Sequence, residues 1–169
     1  MIIVVYYIMN YLKISFGIFL VLAASRFVPH PPNFTSLLAL SFYVPALLGK
    51  KFIPALIISF ALTDLFIGIH SVVLFTWGSI ILICLMAPSF KSKMISRLSG
   101  ALAGVLIFFI ITNFGVWSTG FYSYDIEGLM LCYTLALPFL GFNLISTLIF
   151  SVLIELIFRL FKNNKFIYL

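Results

Sequence analysis

Residues 98–118, LSGALAGVLIFFIITNFGVWS, hold no charged side chain, and that one run limits what the chain can become more than any other feature. An α-helix needs about 20 mostly apolar residues to cross the hydrocarbon core of a bilayer, so the segment predicts a membrane span. Comparable runs predict spans near 12–28, 34–49, 52–69, 72–88 and 141–160. The expected fold class is therefore all-α: a polytopic membrane protein with six transmembrane helices, forming a single membrane domain over 1–169. Only 8% of the residues are charged, against about 25% in an average soluble domain. A soluble protein of this size would carry its apolar surplus as one large exposed patch, whereas a lipid bilayer solvates it.

The stretch 127–138, EGLMLCYTLALP, is apolar but short and ends at Pro138. It reads as an outer or re-entrant helix leading into the last span, or as the first part of one long kinked helix. The segment MIIVVYYIMN, residues 1–10, is read as an interfacial or extended lead-in to the first span. LAAS, residues 22–25, resembles a small-residue cleavage site, but the first ten residues carry no positive charge, so signal-peptide cleavage is not expected.

Orientation follows from the basic residues. Cytoplasmic loops of membrane proteins are enriched in Lys and Arg. With the N-terminus inside, Lys13, Lys50, Lys51, Lys91, Lys93, Arg97, Arg159, Lys162 and Lys165 all fall on the inner side. Arg26 falls outside, together with Asp64, Asp125 and Glu127. Both termini are thus expected in the cytoplasm. Glu155 and Arg159, spaced i, i+4, are expected to pair with each other at the inner interface.

The outer side holds the unusual chemistry. SRFVPHPPNFT, residues 25–35, contains three prolines, which fix their own φ and restrict the residue before them, so a stiff connector is expected. Asn33 or Thr35 is a candidate cap for the helix that follows. Arg26 sits at a span end, where charge is costly unless paired or hydrated. Asp64 lies within the third span toward its outer end and is the natural partner. Such a pair is either a brace between two helices or the border of a binding site. His30, His70, Trp77, Asn113, Trp117 and Asn143 fall in the same layer by topology. The tryptophans also suit an interfacial belt, and Asn143 suits either a helix cap or a cavity wall. GFYSYDIEG, residues 120–128, is a solvated loop or a lid. Gly100 and Gly104 form a small-xxx-small surface for helix packing or for a partner.

Several functions are not expected. There is no nucleophile–base arrangement, metal-ligand spacing or phosphate-cradling glycine loop, so no catalytic residue, metal or cofactor is assigned and no enzyme activity is expected. Cys84 and Cys132 lie in apolar segments and read as filler. The ten basic residues are scattered, which gives no nucleic-acid footprint.

The runs SRFVPHPPNFTSLLAL, GKKFIPALIISFALTDLFIGIH, FFIITNFGVW and GLMLCYTLALPF closely resemble a family of small bacterial membrane proteins of unknown function. That family is in turn similar to the substrate-binding S components of energy-coupling-factor vitamin transporters. The resemblance implies an S-component-like fold in the bacterial inner (cytoplasmic) membrane. It also implies uptake of a vitamin or similar micronutrient through an outward-facing cavity, with a transmembrane coupling subunit and ATPases as partners. Arg26, His30, Asn33, Asp64, His70, Asn113 and Trp117 would border that cavity. The docking patch that S components carry on the first helix is represented only by Gly17, Ala23 and Ala24. The competing expectation is a structural or accessory subunit of a larger membrane complex.

Overall fold

The computed structural model describes residues 2–90 and 92–163, and within them every regular element is helical. In chain order the helices are α1 (Ile2–Phe27), α2 (Leu37–Tyr43), α3 (Ile53–Ile67), α4 (Val73–Met86), α5 (Met94–Ser118), α6 (Ile126–Leu135) and α7 (Leu137–Asn163). A π-helical turn, Val44–Leu48, extends α2, and 3-10 turns at Lys50–Phe52 and Ala87–Phe90 lead into α3 and follow α4. Of the residues used to read orientation, Lys91, Lys165 and the side chain of Lys162 lie outside the described part.

Four segments are long and apolar enough to cross a membrane: Val4–Phe27, Val73–Phe90, Met94–Ser118 and Leu137–Leu160. The runs expected at 34–49 and 52–69 become shorter helices, Leu37–Leu48 and the 15-residue α3. Backbone chemistry explains their length. Pro45 lacks the N–H that a continuing α-helix needs, and the chain answers with the π turn. Gly49 (φ 93°) and Gly68 (φ 114°) then turn the chain in a region that side chains disfavour. Burial compensates for the brevity of α2. Every residue from Leu37 to Tyr43 is buried, with α4, α5 and α7 packed around it. The core combines Leu38, Leu40 and Phe42 with Leu22, Leu56, Ile80, Ile83 and Val105. In contrast, α1 packs chiefly on α3 and leaves most of its surface outward.

Other boundaries differ from expectation as well. The N-terminal lead-in is not extended: it is the start of α1, which runs unbroken from Ile2. The 127–138 segment is a separate helix, α6, and the break at Ala136 precedes an α7 that begins before Pro138 rather than at 141. Proline is tolerated in a first helical turn, where its missing N–H has no partner to lose.

The inner ion pair is also different. Glu155 does not bond Arg159. It accepts two bonds from Arg97 of α5, Nε–Oε1 at 2.6 Å and Nη2–Oε2 at 2.7 Å, and Glu155 is 1% exposed. Arg159 instead reaches the Met94 sulfur at 2.9 Å. A buried carboxylate demands a compact partner, and the planar guanidinium across the helix interface supplies a two-pronged one. Gly100 and Gly104 are used inside the molecule, under the rings of Phe42 and Phe90 and under Ile83 respectively.

Candidate functional site

The first connector is a built turn. Phe34 N–H donates to the Pro31 carbonyl at 3.0 Å, with Pro32 and Asn33 (φ 62°) between them, the arrangement of a type II turn with Pro and then Asn in its central positions. Asn33 is therefore a turn residue and does not cap α2. Thr35 does so weakly, its hydroxyl 3.4 Å from the Leu37 amide. The Ser36 amide is met by Ser25 of α1 at 3.1 Å, and the two serine hydroxyls are 2.7 Å apart. These bonds tie the end of α1 to the start of α2.

Beside that tie stands the charged centre. Arg26 Nη2 lies 2.7 Å from Asp64 Oδ1, its Nη1 donates to the Thr63 hydroxyl, and its guanidinium sits 4.9 Å from the centroid of the Phe60 ring. The other oxygen of Asp64 accepts from the Trp77 indole at 2.7 Å. Asp64 is 1% exposed, so α1, α3 and α4 converge on one desolvated carboxylate whose two oxygens are both engaged. Phe60, Thr63 and Asp64 recur at i, i+3 and i+4 and so share one helix face. That spacing in ISFALTD was the available signal for Phe60 and Thr63, which the sequence reading left out.

Two adjoining cavities open at this end of the bundle. One, of about 280 Å³, is lined by Arg26, His30, Asn33, Asp64, His70 and Asn143, among others. The second, of about 430 Å³, is lined by Asn33, His70, Asn113, Tyr122 and Asn143 together with Phe108, Phe109 and Phe139. They share Asn33, His70, Thr76, Phe108 and Asn143. Asn143 lies within α7, buried, and does not cap it.

Seven of the nine candidate residues thus come together around the cavities, but their side chains are differently occupied. His30 is turned onto backbone, with ring nitrogens 2.7 Å from the Pro31 carbonyl and 3.4 Å from that of Arg26. Asn113 donates to the Phe109 carbonyl of its own helix at 2.7 Å. The side chains of Asn33, His70 and Asn143 make no hydrogen bond among the described residues. Trp77 and Trp117 line neither cavity. Trp77 is held by Asp64, and the Trp117 indole donates to the Ser123 carbonyl at 2.9 Å, bracing the 119–125 loop.

In that loop Asp125 caps α6. Its carboxylate accepts from the Gly128 amide at 2.7 Å and from the Ser123 hydroxyl at 2.8 Å. These bonds, the backbone one foremost, hold its pKa below the ordinary carboxylate value. Cys84 and Cys132 are both free thiols, and Cys132 borders the larger cavity.

One buried polar feature is not evident from the sequence reading. Asn143, Thr147, Ser151 and Glu155 recur every four residues on α7, and all are buried, at 6%, 0%, 0% and 1% exposure. The i, i+4 spacing was visible in NLISTLIFSVLIE, but hydroxyls read as neutral within an apolar run.

No curated protein and no solved structure matches this sequence. The model of the family of unknown function DUF6580 matches residues 8–169. The chain belongs to the DUF6580 family.

Proposed function

We propose that this protein is a substrate-binding membrane subunit for the uptake of a vitamin or similar small micronutrient. In this reading it has six spans and both termini in the cytoplasm of a bacterium, with an S-component-like arrangement in the inner membrane and no reaction of its own. The carrying observation is the pair of cavities in which Asn33, His70 and Asn143 keep unspent polar groups beside Arg26. Small-molecule sites are mostly apolar clefts of a few hundred Å³ with a few convergent polar groups. The faces of Phe108, Phe109 and Phe139 suit a planar heterocycle, and the amides suit its ring nitrogens and carbonyls. A ligand held there would be passed on by movement against a transmembrane coupling subunit driven by ATPases. Open space around Gly17 on α1 would let a helix of that subunit approach.

A second reading, an accessory subunit of a larger membrane complex, has one observation in its favour: both oxygens of Asp64 are consumed within the protein, as a pure brace requires.

Native mass spectrometry of the protein in nanodiscs, purified from cells grown in rich medium, separates the two. A bound small molecule in the parent that is lost in Asn33→Ala/His70→Ala, with thermal stability retained, supports the binder. Absence of any ligand, with no thermal stabilisation across a vitamin panel, favours the accessory subunit. The exposed positions 33 and 70 make that variant safer for folding than one that breaks the Arg26–Asp64 pair.

A further inference from the structure

The α7 column leads away from the cavities into the packed interior. From Asn143 to Glu155 it rises about 18 Å at 1.5 Å per residue, ending at the Arg97–Glu155 pair. Between its ends, the Thr147 and Ser151 hydroxyls are buried and make no hydrogen bond within the protein, and neither does the hydroxyl of Tyr43. Tyr43 projects from α2 and stands close to Ser151, Glu155 and Arg97 without closing a bond of good geometry to any of them. Three neighbouring hydroxyls in this state are unusual, because buried polar groups are almost always paired with protein or with ordered water. Alanine would fill the same helix face with no such cost.

We propose that the column is a water-bearing seam: a file of ordered waters that enters at Asn143, bridges Thr147, Ser151 and Tyr43, and is closed at its far end by the Arg97–Glu155 pair. Each hydroxyl both donates and accepts, so a line of hydroxyls and waters is continuous in hydrogen bonds. The line ends at the pair, where Arg97 holds both carboxylate oxygens of Glu155 and both residues are buried. The seam is therefore reached by water from the cavity side, at Asn143. The proposal stands whatever the cavity binds.

X-ray radiolytic footprinting of the full chain in nanodiscs tests it, since hydroxyl radicals form in place from bound water. Phe42 and Tyr43 are adjacent and equally buried, at 0% and 1% exposure; Tyr43 reaches the seam but also borders an apolar groove of about 290 Å³ beside Gly17 and Phe158, so the deciding comparison is with a variant that blocks the seam alone. After correction for ring reactivity, Tyr43 should be oxidised several-fold faster than Phe42. Ser151→Val, which occupies the space of a bridging water, should bring Tyr43 down to the Phe42 rate. Equal low rates for the two rings in the parent overturn the seam. So does a Tyr43 rate unaffected by a folded Ser151→Val protein. Should that variant fail to fold, Thr147→Val, which interrupts the same column, makes the comparison instead, with the same two outcomes.

Discussion

Asp64 is the residue on which one end of the molecule depends. Replacing one member of a buried ion pair strands the other charge, which costs about 3–5 kcal/mol. Asp64→Asn is therefore expected to lower stability by several kcal/mol, and Trp77→Phe by about 1.5–3 kcal/mol, the range for a bond to a charged group. Unfolding titrations in mixed micelles check both, and an unchanged midpoint for Asp64→Asn would show that the pair is not a brace. Arg97 and Glu155 invite a different comparison. Arg97→Met or Glu155→Leu alone should be strongly destabilising, while the two together should cost much less than either single change, because no charge is left unpaired. Asp125 gives a pH dependence whose sign follows from its depressed pKa. The cap contributes to stability above the unfolded-state value and loses that contribution as pH falls through the lower folded-state value. Protection of the Gly128 amide against exchange should accordingly persist at neutral pH and fade in acid, and Asp125→Ala should abolish the difference.

At the scale of elements, the glycine face of α5 is filled from within. A larger side chain at Gly100 meets the Phe42 and Phe90 rings, so Gly100→Leu is expected to cost about 1–3 kcal/mol through overpacking. Gly17→Ala, with nothing near it, should be tolerated, and thermal melts of the two variants make the contrast. The elements also show what the sequence disclosed. Long uncharged runs announce α4 and α5, and a long apolar run with only Glu155 and Arg159 near its end announces α7, because the bilayer imposes a length. The break between the runs 34–49 and 52–69, at Lys50 and Lys51, does separate two helices, but the first of them is a short helix rather than a full-length span. A segment enclosed by its own protein does not have to span lipid, and apolarity alone cannot distinguish the two kinds of burial. The site was legible where charge was scarce: Arg26 and Asp64 stand out in an apolar chain and do meet. It was illegible where side chains choose between partners, as with Glu155, which bonds Arg97 across a helix interface instead of Arg159 one turn along.

At the scale of the whole molecule, the orientation expected from the distribution of basic residues along the sequence has a direct check. Fluorescent-protein fusions at either terminus should both be bright in bacterial cells, because such reporters mature in the cytoplasm. A dark fusion at one terminus would indicate an odd number of crossings. The interior charges carry a separate implication. Arg26 with Asp64 and Arg97 with Glu155 are two dipoles, each summing to zero. A membrane potential does work of roughly 2.3 kcal/mol per elementary charge per 100 mV, none on a neutral pair translated as a unit, and only a small fraction of that on one that is turned, because its two charges lie a few ångströms apart. Any rocking or tilting of this bundle that keeps both pairs closed thus moves no net charge of these four residues through the field. Such a motion is nearly silent electrically with respect to them and only weakly sensitive to voltage.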